Sequence, residues 1–202
     1  MKYFSLVVLL ILFSCGEKKD VLLPKSNTTV VSDVKDHSPI YIFFNTQGKD
    51  TLAEVNRNNA ISSTNEIFNI DKRLPLRLVI PEVIKLQEKK RNSAHKNEAA
   101  ENYYSYADSI GKNMAFLPFT KVNYKMGKPL SSFIVFFSKK NQIFVDGTPG
   151  NREELKHFLN SFKDKTNIIR FGFDENMSYG SYIQNEIFIQ SIKIQNKEEF
   201  IY

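Results

Sequence analysis

The amino-acid sequence predicts an α+β fold built from two tandem small units. One observation is a repeat: the apolar run at residues 40–44 (IYIFF) returns 93 positions later at residues 133–137 (FIVFF), and a Leu-Pro pair, at Pro24 and at Pro118, precedes each run. The other is the alternation of strand-length apolar runs with segments of helical spacing. Because a repeat at a fixed spacing indicates a duplicated unit, we expect the order hairpin, helix, strand, helix twice. The two units could then pair as an internal pseudo-dimer.

Five elements are predicted in the first unit. β-Branched and aromatic residues at 40–44 and 51–55, separated by a turn, predict a hairpin. A serine followed by a glutamate predicts a short helix over 63–70, and the continuous apolar run at 76–80 predicts a buried strand. The helical spacing of alanines and tyrosines then predicts a long helix over 81–110.

The second unit repeats this order with clearer signals. Residues 133–137 and 142–145 predict its hairpin, with a turn between them. Asn151 can cap a helix whose apolar side chains recur at i, i+3, i+4 and i+7. The apolar run at 168–173 predicts the next strand. Residues 179–194 predict the final helix, with a strand as the open alternative for their last part.

The chain begins with a segment typical of an exported bacterial protein. Lys2 is followed by about ten mostly apolar residues, which are too few to span a bilayer, and the run ends at Ser14 and Cys15. Cys15 is the only cysteine, so no intramolecular disulfide can form. A cysteine at this place resembles a bacterial lipobox, which implies removal of residues 1–14 and lipidation of Cys15. An incidental cysteine in a short anchor is the alternative.

These features divide the chain into four parts and place it in the cell envelope. We expect a signal peptide at 1–14, a tether at 15–38, a first unit with the long helix at 39–112 and a second unit at 113–202. The lipid would anchor the protein in the outer membrane, since glycine rather than aspartate follows Cys15; its periplasmic or surface face stays undecided. The net charge of +6 favours weak attraction to anionic lipids or cell-wall polymers. Nucleic acid is not expected as a partner, because an exported protein rarely meets it.

The sequence holds no pattern of catalytic or metal-binding residues. The three histidines, His37, His95 and His157, are not spaced for metal ligation, and no second cysteine supports them. A nucleophile elbow, a phosphate loop and a dinucleotide-binding fingerprint are also absent from the sequence. We therefore expect no enzymatic activity, no metal and no cofactor.

Two groups of side chains could instead bind a ligand. A basic face of the predicted long helix could contact an anionic polymer or lipid, and a group of tyrosines near Glu101 could hold a sugar or peptide. A solvated helix face and packing of the tyrosines in the core are the alternatives. The candidate binding residues are Lys85, Lys89, Lys90, Arg91, Tyr103 and Tyr104.

Short motifs resemble the periplasmic domain of ExbD/TolR-type biopolymer transport proteins. Residues 20–26 (DVLLPKS) are similar to the start of that domain, residues 142–147 (QIFVDG) to its second hairpin strand, and residues 171–174 (FGFD) to a strand that ends in aspartate. The first unit departs from this pattern, since Pro81 stands 93 positions before Asp174. The apolar segment before the cysteine also lacks the acidic residue of the family's membrane helix.

The resemblance implies a non-catalytic, lipid-anchored envelope protein without a motor role. Its modules would bind a cell-wall or TonB/Tol-type transport-complex partner, such as peptidoglycan or an ExbB/TonB-like complex. Family members work as dimers, and whether this chain forms homo-oligomers stays open. The alternative is an unrelated α+β envelope lipoprotein that acts as a ligand-binding or adhesion protein.

Overall fold

The computed structural model describes residues 19–130, 133–161, 168–194 and 196–202. Cys15 and the predicted signal peptide lie outside these residues, so the lipidation of Cys15 stays a prediction. Within the described residues the chain forms two six-stranded mixed sheets and three helices.

The first half of the chain forms one sheet and one long helix. Its elements are β1 (Lys25–Ser26), β2 (His37–Gln47), β3 (Asp50–Asn56), β4 (Asn65–Ile70), helix α1 (Leu76–Arg91), β5 (Asn102–Asp108) and β6 (Asn113–Pro118). The antiparallel hairpin β2–β3 is followed by β4, which pairs in parallel with β2, and by β5, which pairs in parallel with β4. Strand β6 is antiparallel to β5, and the short β1 pairs in parallel with the end of β5.

The second half forms the other sheet and two helices. Its elements are β7 (Tyr124–Met126), β8 (Val135–Phe137), β9 (Ile143–Val145), β10 (Thr148–Gly150), α2 (Arg152–Asn160), β11 (Ile169–Phe173), α3 (Tyr179–Ser191) and β12 (Lys197–Ile201). The strand order is β10-β9-β8-β11-β12-β7. The hairpin β8–β9 is antiparallel, whereas β8–β11, β11–β12 and β12–β7 are parallel pairs. Helix α2 begins with the predicted cap at Asn151, which forms a full capping box with Glu154.

The two sheets share the order of their central strands. In each, an antiparallel hairpin is followed by two parallel strands, and a short strand from before the hairpin pairs in parallel with the last of them. Equivalent backbone bonds fix the correspondence: Asp71 N–H donates to Ile42 O, and Asp174 N–H donates to Phe137 O, both at 3.0 Å. Asp71, and not Pro81, is therefore the counterpart of Asp174. The predicted spacing of 93 positions fails after the hairpin because these aspartates are 103 positions apart.

The turns before α1 and α3 lie side by side and exchange backbone hydrogen bonds. Pro75 and Ser178 form an antiparallel bridge. The four bonds run from Leu76 N–H to Met177 O (3.0 Å), Tyr179 N–H to Leu74 O (2.7 Å), Arg77 N–H to Glu175 O (2.8 Å) and Gly180 N–H to Lys72 O (3.0 Å). Helix α1 also contacts β7 and β12, and α3 contacts β1. The buried apolar side chains of both halves consequently form one continuous core.

The predicted fold class is wrong. The chain is not a tandem of hairpin-helix-strand-helix units; it is a mixed α/β arrangement of two six-stranded mixed sheets with three described helices. The first half has no helix between its hairpin and β4, and it ends in two strands. The predicted pseudo-dimer of separate units is also wrong, because the halves share their core.

Three segments of the first half account for the error. Residues 65–70 form a strand, buried along nearly its whole length in the middle of the sheet, and not a helix. The apolar run at 76–80 begins helix α1, because short buried runs look alike in helices and strands. The predicted long helix ends at Arg91, and residues 102–108 form β5, in which Tyr104, Ser105 and Tyr106 are all buried.

The outer face of the first sheet is covered by part of the predicted tether. Val31 exchanges two backbone hydrogen bonds with Phe116, at 2.9 and 3.1 Å. Val34 packs with Ile67 and Phe116 in a small second apolar cluster. Leu22 N–H also donates to Asp71 Oδ2 at 3.2 Å. The described part of this segment is therefore attached to the folded body at several points.

The shared core predicts that both halves unfold together. Replacement of the fully buried Leu76 by alanine should lower the free energy of unfolding by about 2–5 kcal/mol, because it leaves a cavity. Hydrogen exchange followed by mass spectrometry should show the same loss of protection in β2 and β8. The control Leu52→Ala, at an exposed position, should change stability by about 0.5 kcal/mol or less. Loss of protection confined to the first half would contradict a single core.

Candidate functional site

The basic residues predicted to bind a ligand do not form one surface. Lys85, Lys89 and Arg91 are exposed on α1, and Lys85 pairs with Glu82 at 2.6 Å. Lys90 is buried, and its ammonium group donates to Asn102 Oδ1 at 2.8 Å and to the carbonyl of Thr64 at 3.0 Å. Burial lowers the pKa of Lys90 despite its ion pair with Glu66. Lys90 therefore holds the end of α1 against β4 and β5.

The two candidate tyrosines point to opposite faces of β5. Tyr103 is half-buried on the outer face, and its hydroxyl donates to Glu101 Oε2 at 2.8 Å. Burial and this carboxylate raise the pKa of Tyr103 to about 12. Tyr104 is fully buried in the core, stacked on Phe119 with ring centroids 3.7 Å apart. The structure thus does not bring the six predicted residues together, and their role in binding stays a prediction.

A cleft of about 490 Å³ lies where the two halves of the chain meet. One wall is the loop between β6 and β7, and the other is the end of α3 with the start of β12. Its volume is in the range of small-molecule binding sites. Apolar side chains of both halves line it, among them Phe119, Val122 and Ile189. Its charged lining residues are Glu101, Lys121, Lys193 and Lys197, so lysines outnumber carboxylates three to one.

One of these lysines is held in an unfavourable backbone conformation. Lys193 follows the C-cap of α3 with a φ of 58°. This left-handed conformation is the place where glycine usually ends a helix, because other residues are strained there. Lys193 also lines the cleft, and it is therefore a candidate for a functional role at a strained position.

Behind the cleft lies a buried ionic cluster that the sequence analysis missed. Lys197 contacts Glu186 Oε2 of α3 at 2.5 Å and Glu199 Oε1 of β12 at 2.7 Å. The side chain of Lys197 is 19% exposed, whereas Glu186 and Glu199 are almost fully buried. Neither carboxylate lines the cleft, and Lys197 does. Little in the sequence distinguishes these residues, since Glu186 follows two amide side chains and Glu199 follows a lysine and a glutamate.

A chain of hydroxyl groups connects this cluster with the first half. The hydroxyl of Tyr182 lies 2.7 Å from Glu199 Oε2 and 3.2 Å from the hydroxyl of Tyr124. Tyr124 in turn lies 2.8 Å from the hydroxyl of Tyr104. A hydroxyl has one proton, so the donors run from Tyr104 through Tyr124 and Tyr182 to the carboxylate of Glu199. Burial raises the pKa of all three tyrosines well above the ordinary value, which keeps them protonated.

The ionisation of the cluster follows from its burial. Burial and the neighbouring Glu199 raise the pKa of Glu186 to about 8. Burial opposes the charged form of Lys197, but the two carboxylates outweigh it and raise the pKa of Lys197. At neutral pH Glu186 therefore holds a proton, and Lys197 carries its positive charge. The residue that carries the cation of this cluster thus lines the cleft, whereas the two residues that carry its carboxyl groups do not.

Comparison with known protein families, with curated proteins and with solved structures found no match for the chain. Among the helices of the described residues, none has the length and hydropathy needed to cross a membrane. Conclusions about the function of this chain therefore rest on the chemistry of the cleft.

The buried carboxyl group predicts that stability falls as the pH rises. Folded Glu186 has a pKa of about 8 and keeps its proton up to that pH, whereas an unfolded glutamate loses its proton near the ordinary pKa of 4.5. The folded state thus binds more protons in this window, and the free energy of unfolding should fall by at most about 1.4 kcal/mol per pH unit for this one group.

Urea unfolding between pH 5 and pH 9 measures this slope. Glu186→Gln should flatten it, with a residual contribution of the same sign from buried Glu66, whose pKa burial also raises. The control Glu175→Gln, at an exposed position, should keep the slope of the unchanged protein. A slope as steep in Glu186→Gln as in the unchanged protein would contradict this assignment.

Proposed function

We propose that this chain is a non-catalytic, lipid-anchored binding protein of the bacterial envelope, and that its cleft holds a carboxylate-bearing peptide of the cell wall. The observation that carries the proposal is the group of lysines around an apolar cleft, namely Lys121, Lys193 and Lys197. Cell-wall peptides combine carboxylates with small apolar side chains. Ammonium groups pair with carboxylates, and an apolar wall gains from covering methyl groups.

The placement of the charges supports binding rather than hydrolysis. Hydrolysis that uses a carboxyl group as general acid or base needs that group within hydrogen-bond reach of the scissile bond. The two carboxyl groups next to the cleft, Glu186 and Glu199, are buried behind Lys197, and Glu101 is the one acidic residue of the lining. Glu101 already accepts a hydrogen bond from Tyr103. The envelope location rests on Cys15 and the segment before it.

The resemblance to ExbD/TolR-type proteins remains part of the proposal and rests on the sequence motifs alone. It favours a cell-wall or TonB/Tol-type partner over a free nutrient as the ligand. An unrelated envelope lipoprotein with the same cleft is the alternative. Both versions require the cleft to bind a ligand, so the cleft is the first feature to test.

Sedimentation with purified peptidoglycan sacculi tests the proposed function. The full chain in detergent should co-sediment, and the double variant Lys121→Glu with Lys193→Glu should lose most of this binding because it reverses the charge of the cleft. The matched control is Lys85→Glu with Lys89→Glu on the exposed face of α1, which should bind like the unchanged protein. Loss of binding in the control alone would assign the ligand to the helix face instead.

The strain at Lys193 predicts a separation of stability from binding. Lys193→Gly and Lys193→Ala both remove the charge, but only glycine relaxes the left-handed backbone. The glycine variant should be more stable than the alanine variant by about 1 kcal/mol, with equally weakened binding to sacculi. Thermal unfolding and co-sedimentation of both variants measure this. Equal stability of the two would show that the φ of 58° carries no strain.

A further inference from the structure

We propose that the cleft binds its anionic ligand together with a proton, which is held by the buried carboxyl pair of Glu186 and Glu199 behind Lys197. This inference rests on the proposed function and adds a second species to the same site. It makes the ligand affinity depend on pH in the range of envelope environments.

The first step is the shared cation. The ammonium group of Lys197 contacts one oxygen of Glu186 and one of Glu199, and the same side chain lines the cleft. Among the described residues, no other lysine or arginine forms an ion pair with either carboxylate. One positive charge therefore contacts two buried carboxyl groups, and it belongs to a residue that lines the cleft. With both carboxyl groups ionised, the cluster would carry a net negative charge next to the cleft.

The second step is an oxygen atom with no donor. Glu186 Oε1 is buried, and it accepts no hydrogen bond from any residue that the structure describes. An ionised carboxylate in this state lacks part of the compensation that a buried charge requires. A proton on Glu186 removes the charge, and it can serve as donor to the neighbouring carboxylate of Glu199. One proton can therefore lie between the carboxyl groups of Glu186 and Glu199, where no donor of the described residues is present.

The remaining groups around the pair cannot replace this proton. Tyr182 from α3 already donates to Glu199, and Tyr124 from β7 with Tyr104 from β5 continue that donor chain. Tyr179 of α3 is also buried, but its hydroxyl has no hydrogen-bond partner in the described residues. The other charges of the cleft are Lys121, Lys193 and Glu101, and no contact joins them to either carboxylate in the described part of the chain. The positive charges of Lys197 and of the bound proton therefore offset the negative charges of Glu186 and Glu199.

The third step is the direction of the coupling. A carboxylate that enters the cleft lies next to this cluster and competes with Glu186 and Glu199 for the attraction of one positive charge, that of Lys197. Protonation of Glu186 removes one competitor, so the proton tightens anion binding. By reciprocity the anion tightens proton binding by the same factor. Burial raises the pKa of Glu186 to about 8, so this exchange takes place between pH 6.5 and pH 9 and not in acid.

Isothermal titration calorimetry of the full chain in detergent tests the inference. The probe is the dicarboxylate acetyl-L-alanyl-D-glutamate, which keeps the same charge across this pH range. Binding should be roughly tenfold tighter at pH 6.5 than at pH 9, a coupling of ordinary size. Titrations at pH 8 in two buffers with different ionisation enthalpies should show uptake of a fraction of a proton. Glu186→Gln, which mimics the protonated form, should bind tightly at both pH values and take up no proton.

Two further results separate the inference from the proposed function. Glu66→Gln changes a buried glutamate elsewhere in the core, and it should keep the full pH dependence of the unchanged protein. Binding of equal strength at both pH values, without proton uptake, would overturn the coupling and leave the cleft as the binding site. No binding at any pH, by the unchanged protein and by Glu186→Gln alike, would overturn both the binding function of the cleft and its coupling to a proton.

Discussion

The contact between the two helix starts is the constraint on which the rest of the structure depends. The turns before α1 and α3 bond to each other through four backbone hydrogen bonds, and this pairing sets one half of the chain against the other. Helix α1 then reaches β7 and β12, while α3 reaches β1. The two walls of the cleft come from different halves, so its width follows from this pairing. A displacement at the turns would alter the cleft and the buried cluster together.

The buried polar network is an unusual way to fill the space between the halves. Three tyrosine hydroxyls, two carboxyl groups and one ammonium group lie in a volume that apolar side chains could occupy. Replacing a buried ion pair by well-packed apolar residues is often neutral or stabilising, so such a pair is weak evidence for stability. The network is better explained by the position that it gives to Lys197, which is held by two buried carboxyl groups and also lines the cleft.

Much of the local structure of the second half could be predicted from the sequence, and less of the first. Sequence signals predict three of its elements, namely the capped helix after Asn151, the strand at 169–173 and the helix from Tyr179. The secondary structure of the first half was predicted wrongly because β4 and the start of α1 are both short buried apolar runs. Periodicity does not distinguish a helix from a strand in such runs. The wrong spacing of the repeat had the same origin, since it aligned the first turn of α1 with β11.

The candidate site was less predictable than the fold. Sequence reasoning selects residues by type and local spacing, and so it chose a basic run on one helix. The cleft gathers Lys121, Lys193 and Lys197 from two loops and a strand start, which only the pairing of the halves brings together. The buried pair of Glu186 and Glu199 was not distinguishable, because each follows other polar residues along the chain. No sequence rule could say that both would contact one lysine.

The position of β12 has a consequence for the way this protein reaches its folded state. Strand β12 lies inside the second sheet, between β11 and β7, and its neighbours include α1 from the first half. The core of either half is thus incomplete until residues 197–201 are in place. If the chain is threaded through a secretion channel from its amino-terminal end, nearly all of it must emerge before the native core can close. Envelope chaperones would meet a long, unfolded polypeptide, and a truncation that removes β12 would be degraded rather than partly active.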